Sequence, residues 1–233
     1  MEEKTGKVAV KERPMLFSAP MVRALLDGSK TQTRRIVKDL PNWEITEICS
    51  DAGGTGKWMP NGPSPSGKGM AAGHWRLCPY GKPGDSLWVR ETFQGPLFDA
   101  ERMDEFRRDS SKFETPEFCV FAADGGGPPE FQDADDNLFC RWRPSIHMPR
   151  WASRIQLEIV AVRVERLNAC SDGDAVAEGI GLNPSAIGMK LTNPPGESMA
   201  IAMYRALWDS INGAGSWATN PWVWVVEFKR VTP

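Results

Sequence analysis

Between Ala19 and Val37 the hydrophobic pattern changes period, and this change fixes the first stretch of the fold. Met21, Val22, Ala24 and Leu25 give a short helix an apolar face, with Ser18 placed to cap it and Pro20 in its first turn. Gly28 stands where a helix C-cap falls. From Thr31 to Val37 the chain alternates as a strand, which puts Thr31, Thr33 and Arg35 on one face and Gln32 and Arg34 on the other. The junction Gly28-Ser29-Lys30-Thr31-Gln32-Thr33-Arg34-Arg35 thus collects an amine, hydroxyls and guanidinium groups between two rigid elements. Binding and catalytic groups gather at such places because the scaffold holds them still.

The rest of the chain is read from its punctuation. Short strands are predicted at Met15–Phe17, at Leu87–Arg90 behind a Pro83-Gly84-Asp85 turn, at Ile155–Val164 and at Pro221–Val231. Helices are predicted at Asp172–Gly179, with Asp172 as N-cap, and at Met199–Ile211, where Ile201, Tyr204, Leu207, Trp208 and Ile211 recur at helical spacing. Asp51–Gly73 is crowded with Gly, Pro, Ser and Lys and reads as a long mobile surface loop. Asp99–Asp136 is an acidic insertion with partial helix at its start, broken by Gly125-Gly126-Gly127-Pro128-Pro129. No internal repeat is present. Several short strands with brief helices predict an α+β protein, a small closed β structure with helices at its rim. The expected organisation is a flexible terminus over residues 1–13, then one domain over 14–233 with insertions at about 51–75 and 95–140.

Composition excludes several classes. The N-terminal stretch Met1–Lys11 is of mixed charge without an apolar core, and the longest apolar run, Trp222–Val226, is too short to span a bilayer. The expectation is a cytoplasmic protein with no membrane partner. The five cysteines (Cys49, Cys78, Cys119, Cys140, Cys170) are scattered and odd in number, and form no CxxC pair, which predicts reduced structural thiols. With only His74 and His147 beside them, no metal is expected, and no other cofactor. A net charge of −2 argues against strong non-specific nucleic-acid binding. The charges are segregated, however: Lys4–Lys38 and Arg141–Arg166 are basic and Asp99–Asp136 acidic. Such separation either builds a positive cleft on a mildly acidic protein or leaves two solvated faces of opposite sign.

Four motifs in order carry a resemblance: Gly28-x-Lys30-Thr31-x-Thr33-x-Arg35 after a short helix, Pro83-Gly84-Asp85 before a strand, Asp174-Ala175-x-x-Glu178-Gly179 in a later helix, and Trp224-Val225-Val226-Glu227-Phe228 as a closing strand. Together they resemble an ASCH domain. The longer runs Ser145–Arg154 and Asn220–Val225 resemble phage-associated members of that group. The resemblance spans Met15–Val231, apart from the Asp51–Gly73 loop and most of the acidic insertion. It implies a PUA-like small β-barrel with short flanking helices and two loop insertions, and a cleft suited to nucleic acid or a nucleobase. Some small bacterial members are amidohydrolases that remove the acyl group from N4-acetylcytidine, using a lysine and a threonine of the GxKTxT segment and a glutamate of the later helix. Matched motif to motif, these fall on Lys30, Thr33 and Glu178, and Arg35 matches as well.

Amide hydrolysis needs a nucleophile, a base, a proton for the leaving amine and support for the oxyanion. The resemblance implies Thr33 as nucleophile, Lys30 as its base and Glu178 as acid and substrate-orienting group. In a variant, Glu178 activates water and Thr33 only binds. A lysine works as a base when burial or nearby cations lower its pKa, and Arg34 and Arg35 are candidates for that. The bland reading has Lys30 on the terminal carbonyls of the preceding helix and Glu178 exposed. Thr31, Arg34, Arg35, Arg90, His147, Arg150 and Trp151 are the expected substrate-binding residues. In the Arg141–Arg154 segment, arginines interleaved with tryptophans suit phosphate and base stacking. The same pattern also describes a Pro-rich crossing whose arginines pair with the acidic insertion. Trp142, Trp151 and Trp217 lie in loop-like contexts suited to stacking on a ligand. Two functions follow: an amidohydrolase with a small nucleoside substrate (an N4-acylated cytosine nucleoside or related modified base), or a non-catalytic binder of RNA, single-stranded DNA or a modified base.

Overall fold

The computed structural model describes residues 10–50, 57–132, 137–181 and 196–231. In chain order the elements are β1 (Glu12–Leu16), α1 (Ala19–Leu26), β2 (Gln32–Ile36), β3 (Glu47–Ser50), β4 (Lys57–Pro63), β5 (Met70–Ala72), β6 (Arg76–Leu77), β7 (Ser86–Arg90), β8 (Phe93–Gln94), α2 (Met103–Arg108), β9 (Val120–Phe121), β10 (Glu130–Gln132), β11 (Leu138–Cys140), β12 (Gln156–Arg166), α3 (Asp172–Ala177), α4 (Met199–Asn212) and β13 (Trp222–Val231). The protein is mixed α+β, rich in sheet with few helices. Among the described residues its sheets do not close into the expected barrel. The reason lies at β2: one edge pairs with β13, while the chain just before it makes only a single bridge, Lys30 to Glu178, so no strand completes a ring. No helix among the described residues is long and apolar enough to cross a membrane.

The chain divides into two compact units. The first takes the described parts of Met1–Arg13, Lys30–Ser86 and Glu158–Lys229. Within it β12, β13 and β2 lie side by side in that order, and β13 runs antiparallel to β2 with Val223 opposite Ile36, Val225 opposite Arg34 and Glu227 opposite Gln32. Val223, Trp224, Val225 and Val226 are all buried, which explains the uninterrupted apolar run: both faces of this strand are covered. Val223 and Val225 pack into a core with Leu167, Ala175, Met203, Tyr204 and Trp208. Trp224 meets Trp58 edge-on, with ring centroids 6.1 Å apart. Trp217, expected in a loop-like context suited to stacking on a ligand, is buried in the core instead, where it meets the ring of Tyr204 at 5.7 Å.

The segment expected as a mobile loop is largely sheet. β4 pairs with β3, β5 and β6, and only residues 51–56 of it lie outside the described residues. Gly62 shows why a glycine-rich sequence serves here: a Cβ on it would sit 2.0 Å from the carbonyl oxygen of Glu44, so the close backbone approach excludes any side chain.

The second unit takes the described parts of Pro14–Ser29, Leu87–Leu157 and Arg230–Pro233. In it α1 buries Val22, Ala24 and Leu25 as its period predicts, Ser18 is the N-cap residue, and Gly28 adopts φ +82° just beyond the helix. In β7, Leu87 and Val89 are buried and the Val89 amide bonds to the Ile155 carbonyl at 3.0 Å. The acidic insertion carries partial helix at its start, as expected, and its own apolar centre. Phe98, Phe106, Phe113 and Phe118 meet ring to ring at 4.5–5.6 Å, with the Arg102 guanidinium 4.5 Å from the Phe113 ring. Phe113, the one of the four that is fully buried, contributes about 1.5–3 kcal/mol. Phe93, Phe121, Met148 and Ala152 form a second cluster, with Trp151 packed against it.

Candidate functional site

Helix α3 sets the first part of the site. Ser171 is its N-cap, one residue before the expected Asp172: the Ser171 hydroxyl accepts from the Asp174 amide at 3.1 Å while the Asp174 carboxylate accepts from the Ser171 amide at 3.0 Å. This reciprocal box is available to Ser171 because an acid follows three residues later. The helix therefore ends with Glu178 at its C-cap. Lys30 and Glu178 form an antiparallel bridge, and the Thr31 amide donates to the Ala177 carbonyl at 2.8 Å, which straps the helix end to the start of β2.

Lys30 Nζ donates to the carbonyl of Gln32 at 2.8 Å, to the carbonyl of Glu178 at 2.8 Å and to Glu178 Oε2 at 2.9 Å. Both side chains are buried. The ammonium does sit at a helix C-terminus, but it is that of α3 rather than of α1. Arg34 Nη1 lies 3.3 Å from Glu178 Oε1, and its Nη2 lies 2.6 Å from Glu165 and 3.3 Å from Asp174. Gln32 Nε2 donates to the Asp174 carbonyl at 2.8 Å and to its carboxylate at 3.0 Å. Arg163 completes the network, 2.9 Å from Glu165 and 2.7 Å from Asp174, and also paired with Glu227. Burial pushes the Lys30 amine down, the nearby charges of Arg35 and Arg34 act in the same direction, and Glu178 opposes them. Burial pushes the Tyr204 phenol well up, with the Glu178 charge adding to it. Burial also raises the Asp174 carboxyl, but the Ser171 hydroxyl and amide, Gln32 and Arg34 outweigh it and hold the group well below the usual carboxylate range.

Of the residues singled out from sequence, Lys30, Arg34 and Glu178 come together here. Thr33 is buried on β2, and strand alternation turns it to the face opposite Gln32 and Arg34, the two residues that reach α3. Thr31 is exposed and held through its backbone. Arg35 is half-buried opposite Trp224, close enough to Tyr80 to affect its phenol.

Arg90, His147, Arg150 and Trp151 belong to the second unit. The Arg90 and Arg150 guanidiniums lie 5.4 Å and 5.9 Å from the ring of Trp88, and Arg90 also bonds to the Ile146 carbonyl. His147 is exposed at the end of a single 3-10 turn, and Trp151 is half-buried. Arg154 follows the bland expectation: it grips Glu91 at 2.9 Å and Asp124, in the acidic insertion, at 2.7 Å.

Sequence reasoning missed Gln32, Glu165 and Arg163, which join the network through Asp174 and Arg34, and Tyr204, whose phenol feels the Glu178 charge. The two-residue step from Lys30 to Gln32 to Arg34 was the available signal for the first. Among the described residues no three His, Cys, Asp or Glu side chains are gathered as metal ligands. The ammonium, guanidinium and carboxylate groups that meet here can transfer protons and stabilise charge. No protein-family model, curated protein or solved structure matches the chain.

Proposed function

We propose that the Lys30–Glu178 site hydrolyses an amide on N4-acylated cytosine nucleosides or a related modified base, in the manner of the ASCH amidohydrolases that the motifs resemble. The observation that carries this reading is the buried pair itself: a lysine and a glutamate from motifs 148 positions apart meet at 2.9 Å. On the same reading, the open sheet of the first unit is a variant of the PUA-like barrel and the protein is cytoplasmic. The net charge of −2 favours a small substrate over a long polyanion.

The position of Thr33 favours the water form of the mechanism. Glu178 takes a proton from a water molecule as its oxygen adds to the acyl carbon. The carbon–nitrogen bond then breaks, and Glu178 returns the proton to the departing N4 amine, releasing cytidine and a carboxylic acid that gives its proton to solvent. Lys30 and Arg34 hold the carboxylate and offset the negative charge of the tetrahedral intermediate. The test is to incubate the protein with N4-acetylcytidine and its deoxy form and follow cytidine release, beside Lys30→Ala and Glu178→Ala. Turnover lost in both variants with folding intact is the expected result. No turnover of either nucleoside by the parent protein sinks the reading.

A second reading rests on the second unit, where Arg141, Arg143 and Arg150 are exposed and each lies over an aromatic ring. This favours binding of RNA or single-stranded DNA through phosphate contacts and stacking. It predicts salt-sensitive oligonucleotide binding that Arg150→Ala weakens.

A further inference from the structure

The second unit holds a cavity of 360 Å³ that the amide-hydrolysing reading does not use. Pro116, Ile155 and Val231 give it apolar walls, and Glu117, Arg150 and Arg154 line it with charge. Small-molecule sites run from about 300 to 1,000 Å³, so this one suits a single small ligand rather than a polymer.

Arg154 is spoken for. Its Nε and Nη2 bond to Glu91 at 2.9 and 3.0 Å, and its Nη1 and Nη2 to Asp124 at 2.8 and 2.7 Å. These contacts take four of its five N–H donors and balance its charge. Ser153 beside it is buried, and its hydroxyl donates to the Val89 carbonyl at 2.8 Å, which makes this wall rigid.

Glu117 and Arg150 are the remaining charged groups of the lining, one of each sign, and both are exposed. Each sits on a single 3-10 turn, Pro116–Phe118 and Arg150–Ala152. The turns are anchored by their own apolar residues: Phe118 meets Phe113 at 4.9 Å, and Ala152 is buried in the cluster with Phe93. Among the described residues the Glu117 carboxylate makes no ion pair and no hydrogen bond. A carboxylate and a guanidinium on anchored turns, beside apolar walls, complement a ligand that carries both charges on an apolar body. A plain anion would meet the like charge of Glu117, and a plain cation that of Arg150.

We propose that this cavity binds a small zwitterion of the α-amino acid class. Its carboxylate lies on the planar fork of Arg150, its ammonium on Glu117, and its side chain against Pro116, Ile155 and Val231. The site stands or falls independently of the hydrolase reading.

Calorimetric titration of the parent protein with L-leucine, leucinamide and 4-methylpentanoate reads the zwitterion, the cation and the anion on one apolar body. Inorganic phosphate reads the guanidinium groups alone. The titrations are run at about pH 6.5, where leucinamide keeps its charge. L-leucine is expected to bind at one site in the millimolar range, and the other three more weakly. Glu117→Gln and Arg150→Ala are each expected to weaken leucine by about 10- to 100-fold, the worth of a hydrogen bond to a charged group.

Leucine binding that neither variant alters overturns the site. So does the absence of binding by any of the four probes. 4-Methylpentanoate or phosphate bound as tightly as leucine shows a plain anion site and overturns the zwitterion, as equal binding of leucinamide does from the other side. The comparison among probes needs only the parent protein, so it decides even if a variant does not fold.

Discussion

The ammonium of Lys30 bonds to Glu178 twice, 2.9 Å from its carboxylate and 2.8 Å from its backbone carbonyl, although 148 positions separate the two residues. One side chain thereby neutralises a buried acid, satisfies a helix terminus and anchors the first residue of the β2 approach. Function and fold are coupled at this point, and substitutions here act on both.

Stability exposes that coupling directly. Lys30→Met leaves Glu178 buried without its nearest cation and is expected to cost about 3–5 kcal/mol in urea unfolding. Adding Glu178→Leu removes the stranded charge, so the double variant is expected to recover much of that loss rather than sum the two single effects. Simple additivity in the cycle would show that the pair is not coupled.

Thr33 separates the two catalytic schemes. Thr33→Val keeps the branched shape on β2 and replaces the hydroxyl with a methyl group. Turnover of N4-acetylcytidine within about tenfold of the parent is expected if water is the nucleophile. A loss beyond about a thousandfold would reinstate the threonine hydroxyl as the attacking group.

Acid sensitivity is expected to run through Asp174. Its folded pKa is depressed, so the stability it contributes is present above the unfolded value, near pH 4, and is lost as the pH falls toward the folded one. Asp174→Asn is expected to be less stable than the parent at neutral pH, with the gap closing on acidification. Urea midpoints measured from neutral pH to about pH 3 check this, and parallel curves would assign the acid response elsewhere.

Arg154 offers a contrast between its two partners, since Glu91 is 1 % exposed and Asp124 is 50 % exposed at the side chain. Arg154→Met is expected to cost about 3–5 kcal/mol, and Asp124→Asn no more than about 1 kcal/mol. Burial raises the Glu91 carboxyl even with Arg154 beside it, so the penalty of Arg154→Met grows once the pH passes that raised value and Glu91 must ionise. Unfolding of both variants at neutral and mildly acidic pH reads the contrast.

Where local period decides structure, the sequence was legible: α1, β2, α4 and β13 form where alternation or helical spacing puts them. The meeting of Lys30 with Glu178 was legible only through motif order. What escaped depends on partners distant in the chain. Lys57–Pro63 looks like loop by composition, and only pairing with β3 and the approach of Gly62 to Glu44 make it a strand. Ser171 and Asp172 are both good caps, and the choice between them fell to a side-chain exchange with Asp174. Tyr204 reads as one apolar position among several on α4; its ring meets Trp217 and Arg34 only once that helix docks.

The register of β13 against β2 has a consequence for biosynthesis. Thr33 and Arg34 pair with Val226 and Val225, which leave the ribosome roughly 190 residues later. At about 5–20 residues per second, the strand that carries the site waits on the order of 10–40 s without its neighbour. During translation this strand is an open edge, and whatever shields that edge in the interval acts on the protein before it has a site at all.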